Sequence, residues 1–189
     1  IGFGGRGLTR NYPMKLVEGE DQDHKHHRGL WYGHRMVNGF SFWEETGKEG
    51  KIAHDAFLEV KSGRDLGIIK ERNKWLSPDG KEVCREERTI RIQHRGAERL
   101  LDFDITVTAS NGEVVFGDDK DGAMSIRVAE SMRLTHRREK GEKKAKPGEG
   151  HIVLSTGVQD AETWGKQAAW CDYYGPVDGK IVGVAIFDH

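Results

Sequence analysis

Cysteine is scarce in this chain of 189 residues: Cys84 and Cys171 are its only two. At most one bridge can form, so neither a disulfide scaffold nor a four-cysteine zinc site is available. Charge of one sign is missing as well. Lys and Arg number 30 against 31 Asp and Glu, for a net charge of -1, which removes the basic balance of a dedicated nucleic-acid binder and points to a small or neutral partner. Long apolar runs are absent. The longest, Ile181 to Phe187, is interrupted by Gly183 and falls far short of the roughly 18 residues a membrane-spanning helix needs. Gly-x-Ser-x-Gly and the P-loop pattern do not occur. The glycine run from Gly2 to Gly7 has no strand before it that would make it a phosphate loop.

What is present has the period of strands. Phe103, Ile105 and Val107 alternate with Asp102, Asp104, Thr106 and Thr108, the pattern of a half-buried strand with one polar face. Further strands are expected at Ile52–Val60, Gly67–Trp75, Lys81–Gln93, Gly112–Phe116, Ala123–Leu134, His151–Ser155 and Lys180–Phe187. Turn dipeptides separate them, among them Asp79-Gly80, Arg95-Gly96, Asn111-Gly112 and Asp178-Gly179. Gly, at 25 residues, is nearly twice its usual share of about 7%. The fold class read from this is all-β, an antiparallel β-sandwich with under about 10% helix, formed by residues 1–189 as a single domain. Only Ala161–Ala169 offers a short helical turn. The basic run 133–146 reads as a solvated loop, because it lacks interleaved aromatics that could stack bases.

The densest chemical signal is histidine. His24, His26, His27 and His34 fall within Asp23 to His34, and His54 follows. On extended backbone His24, His26 and Arg28 would share one face, with Lys25 and His27 on the other. An i, i+2 pair about 6 to 7 Å apart can bracket a polar substrate or a metal ion. His24-x-His26 has chelating spacing for a divalent metal, with Glu44, Glu45, His34 or His54 as a third ligand; a buried, hydrogen-bonded histidine is the plainer alternative. The aromatics Trp31, Tyr32, Phe40, Phe42 and Trp43 crowd the same stretch, and Trp164, Trp170, Tyr173 and Tyr174 form a second group with Asp172. Flat rings beside imidazoles, carboxylates and an Arg suit a sugar, whose C–H faces stack while its hydroxyls are gripped; the tryptophans serve equally as sandwich core. His26, His27 and Glu44 are the acid–base candidates. The ligand contacts expected beside them are His24, Arg28, Trp31, His34, Asn38, Trp43, Lys120, Trp164, Tyr173 and His189.

A set of longer motifs carries a resemblance. Asn11-Tyr12-Pro13-Met14, the segment Asp23 to His34, Asn38-Gly39, Phe42-Trp43, Gly117-Asp118 with Lys120 and Gly122, Ile126-Arg127-Val128-Ala129, Trp164-Gly165-Lys166 through Trp170 to Gly175-Pro176, and Ile186-Phe187-Asp188-His189 together resemble the bacterial family labelled PmoA, or methane oxygenase. The resemblance covers nearly the whole chain. It implies a galactose-mutarotase-like β-supersandwich, in which His and carboxylate groups on a concave sheet process sugars. It also implies a chain that is a piece of a longer protein, since members continue past the Asp-His pair and often carry export signals; a periplasmic or secreted location follows if a leader lies upstream of Ile1. The functional expectations are an enzyme doing acid–base chemistry on a sugar or glycoside, a noncatalytic saccharide-binding domain, or a metal-dependent oxygenase or hydrolase built on the histidines. The ligand is a small molecule or oligosaccharide, with no nucleic acid and no membrane span; the oligomeric state is left open.

Overall fold

The computed structural model describes residues 2–3, 6–136 and 145–188. About half of the chain is strand and 4% is helical, so the molecule is all-β with antiparallel sheets, as the alternation predicts. The chain divides into two compact units, one formed by 1–31 and 125–189, the other by 32–124.

The second unit is built on a four-stranded antiparallel meander of β4 (Lys51–Lys61), β5 (Leu66–Leu76), β6 (Glu82–Arg95) and β7 (Glu98–Thr108). Its turns sit where the sequence puts Gly after a polar residue. In Ser77–Lys81 the Ser77 amide donates to the Lys81 carbonyl at 2.8 Å and Gly80 takes φ 82°, a value that a Cβ would penalise. One sheet face is charged: Asp55, pushed out by a bulge in β4, pairs with Arg72 and Lys74. The opposite face packs Trp75, which is fully buried, with Cys84, Val83, Val37 and Phe42. Phe103, Ile105 and Val107 are half-buried while Asp102, Asp104, Thr106 and Thr108 are exposed, as expected of β7.

The first unit contains an antiparallel pair of two-residue strands, β1 (Gly2–Phe3) with β2 (Arg6–Gly7), and the sheet β11–β10–β9, from β9 (His151–Leu154), β10 (Trp170–Val177) and β11 (Lys180–Phe187). Asp178 and Gly179 both take positive φ, 49° and 73°, which is the two-residue turn whose twist matches a hairpin. Alternation then turns Tyr173 and Val177 inward, where Val177 joins Val128 and Met132 in a second core. The remaining strands, β3 (Leu30–His34) and β8 (Gly122–Ile126), pair with each other.

Three expected elements differ. Gly112–Phe116 is not a strand, because the Glu113 carbonyl and Val115 amide are taken by the Asn38 side chain at 2.9 and 2.7 Å; only Phe116 bridges, to Val37. Ala123–Leu134 leaves β3 at Ile126, bridges Thr9 through Val128, and a 3-10 turn at Glu130–Met132 then carries Met132 into the core. The helical candidate 161–169 is a single 3-10 turn at Asp160–Thr163. Most of the basic run, 137–144, and His189 lie outside the described residues. Among those that are described, no helix is long and apolar enough to cross a membrane.

Candidate functional site

The histidine segment is a turn, and this corrects the extended reading. His24 takes φ 42°, the His27 amide donates to the His24 carbonyl at 2.9 Å and the Arg28 amide to the His26 carbonyl at 3.0 Å. Backbone hydrogen bonds made this locally coil the chain and cancel the two-residue alternation of a strand. His27, expected on the face away from His24 and His26, therefore joins them. The His24 and His27 rings stack with centroids 4.7 Å apart, and His26 stands edge-on to both at 5.5 and 4.4 Å. One ligand nitrogen from each lies within 4.8 Å of the other two. The far face of His27 stacks on Trp31 at 4.7 Å.

A buried cation holds the turn. Arg10, 4% exposed, donates to the carbonyls of Asp21, Asp23 and His24 at 3.3, 2.8 and 3.0 Å and pairs with the Asp23 carboxylate. Arg127 reaches the same carboxylate at 3.2 Å, and its amide donates to the Gly29 carbonyl at 2.7 Å. Burial pushes the Asp23 carboxyl up, but the Arg10 hydrogen bond and the charges of Arg127, His24 and Arg10 outweigh it and hold the group below its usual range. The His27 imidazole is pushed down to about 4 by burial first, then by His26, His24 and the two guanidiniums. At neutral pH it is therefore uncharged and carries a lone pair.

The other predicted residues have plain placements. In the first unit Arg28 is exposed and Trp164 is 86% exposed beyond the 3-10 turn. Tyr173 accepts a hydrogen bond from the Leu134 amide at 3.0 Å and packs on the second core. In the second unit His34 bonds the Gly117 carbonyl at 2.8 Å and lies where a Cβ on Gly122 would sit. Asn38 forms the turn contacts given above, Trp43 is buried, Lys120 is exposed, and Glu44 pairs with Arg35 at 2.9 Å and with Ser41.

His54 belongs to a network that the sequence reading missed. Its Nδ1 lies 3.1 Å from Glu71, which also accepts from Asn73 at 3.2 Å. Arg88 grips Glu86 at 2.7 Å and stacks over Tyr32 at 5.6 Å. Glu86, 1% exposed, accepts from Trp75 Nε1 at 2.9 Å. The only available signal was the odd-number spacing Glu71-x-Asn73-x-Trp75 facing Glu86-x-Arg88, and it needs the β5–β6 register to be seen.

Neither a curated protein nor a solved structure matches the chain. A family model, described as a family of unknown function (DUF6807), matches residues 1–189, the full sequence, so the chain belongs to that family.

Proposed function

We propose that the protein is carbohydrate-active and works through a divalent metal ion held by His24, His26 and His27. The observation that carries the metal is the convergence of three imidazole nitrogens within 4.8 Å of one another. Ligands about 2.1 Å from a tetrahedral ion stand roughly 3.4 Å apart, so binding would draw the three nitrogens closer and turn the stacked His24 and His27 rings out of parallel. Three imidazoles suit zinc, copper, nickel or iron and leave a coordination position open for an oxygen ligand. An ion there acidifies a bound water or polarises a bound oxygen, which is the chemistry that attack or proton transfer at a sugar carbon requires. The substrate class is supported by the resemblance to the PmoA-labelled, mutarotase-like proteins and by the aromatic content of the histidine segment, where Trp31 backs His27.

Cobalt(II) titration tests the centre. A visible d–d band of four-coordinate intensity at one ion per chain, displaced by zinc and absent in His26→Ala, is the expected result. A wild-type protein that takes up no cobalt, zinc, copper or nickel after dialysis would remove the metal reading. Incubation of the zinc-loaded protein with a panel of glycosides and free sugars, followed by NMR, tests the substrate class separately.

A further inference from the structure

The second aromatic group of the sequence is divided by β10. Alternation sends Cys171, Tyr173, Gly175 and Val177 to the core side, and Trp170, Asp172, Tyr174 and Pro176 to the other. The partner strand matches this face residue by residue: Phe187 opposite Trp170, Ala185 opposite Asp172, Gly183 opposite Tyr174 and Ile181 opposite Pro176. All four of those β11 residues are exposed, Ile181 at 69% and Phe187 at 67%. Their sizes run large, none, small, large. Two bulky ends about 20 Å apart, at ~3.3 Å per residue, therefore bound a trough floored by Gly183 and Ala185. A Cβ on Gly183 would meet Tyr174 Cβ at 3.0 Å and Asp172 Oδ1 at 3.3 Å, so the missing side chain keeps that ring and carboxylate clear. Beyond Tyr174 the His151 ring lies 5.4 Å away, its Nδ1 3.4 Å from Asp160, and makes a polar rim.

We infer that this outward face of β9–β11 is a binding platform for a neutral oligosaccharide, with Trp170 and Tyr174 as stacking rings and Asp172 as the hydroxyl acceptor between them. The rings stand four residues apart, about 13 Å along the strand, a span that a short saccharide chain bridges and a single sugar does not. A carboxylate set between two aromatic faces distinguishes the surface from a protein-docking patch, whose centre is depleted of charge. Among the described residues the face and its rim carry the carboxylates of Asp172 and Asp160, so an acidic polysaccharide is repelled. The platform deepens the carbohydrate reading and rests on it for substrate class, but it does not use the histidine turn.

The test is calorimetric titration of the full chain with cellohexaose, xylohexaose, mannohexaose and hexagalacturonate, in EDTA and again with zinc. At least one neutral hexaose binds, equally well in EDTA, and hexagalacturonate does not. Trp170→Ala weakens that binding about tenfold, the upper range for a stacking ring. Gly183→Val, which fills the trough and crowds Tyr174 and Asp172, abolishes it while the chain still melts cooperatively; if Trp170→Ala fails to fold, Asp172→Asn and Gly183→Val carry the test. Binding that survives Gly183→Val and Asp172→Asn unchanged overturns the platform while leaving the carbohydrate reading in place, as does binding that EDTA abolishes. Failure of every neutral hexaose to bind also overturns the platform. Glycoside turnover with zinc would then still support the carbohydrate reading, and its absence would end that reading too.

Discussion

The two histidine environments of this molecule are assembled by opposite means. His24, His26 and His27 come from four consecutive positions and meet because a tight turn coils them together. His54, Glu71, Asn73, Glu86 and Arg88 come from three strands and meet because the register of β4–β5–β6 sets them side by side. In the turn the imidazoles contact one another and Trp31. In the sheet each polar group is spent on a neighbour, and the innermost, Glu86, is locked beneath Trp75. A turn brings like groups together, whereas a paired sheet matches donors to acceptors.

The largest effects should therefore fall in the sheet. Trp75→Ala empties the centre of the buried cluster and is expected to cost about 3–5 kcal/mol in denaturant unfolding. Glu86→Ala strips Arg88 and the Trp75 indole of their acceptor at a buried site and should cost about 3 kcal/mol. His26→Ala, at a half-buried turn position, should stay within about 1 kcal/mol; a loss as large as that of Glu86→Ala would show that the turn is core and erase the contrast.

Acid sharpens the same comparison. His27 has a folded pKa of about 4, below its unfolded value near 6.5, so between those values the unfolded chain binds more protons and stability falls as pH falls. His27→Ala should flatten the stability profile across that window. Below it, Asp23 takes over: its folded pKa is depressed, so its contribution is present above the unfolded carboxyl value and lost as pH drops through the folded one. Asp23→Asn should flatten that acid limb. The smallest effect concerns thiols. Cys84 is fully buried and pushed up to about 11 by burial and by Glu86 and Glu82, whereas Cys171 is partly exposed. A disulfide reagent should label Cys171 first, and Cys84 only on unfolding.

The contrast also explains what could be read in the sequence. Strand β7 was legible because one face is wet, which writes the period of two into the residue types, and β4 to β6, β9 and β11 were legible as strand-forming runs bounded by turn residues. β10 was not: Trp170-Cys171-Asp172-Tyr173-Tyr174-Gly175-Pro176 has aromatics on both faces and a Gly-Pro pair that imitates a loop. β3 was hidden in the same way by its run of aromatics. At the histidine segment the residues were identified and their geometry was not, since the φ of His24 depends on Arg10, a residue 14 positions away, capturing its carbonyl. The Glu71–Glu86 network was invisible for a related reason, because charges on a strand read as solvent-facing until the partner strand is known.

Arg10 has a further consequence for the metal ion proposed at the histidine turn. By taking three carbonyls of the Asp21–His24 stretch it removes, during folding, the backbone freedom that an ion or substrate would otherwise have to freeze on arrival. The entropy of arranging the backbone beneath the imidazoles would thus be charged to the fold and not to the ligand. Loading should leave the amide exchange rates of residues 21–28 almost where they were, with the change confined to ring orientation.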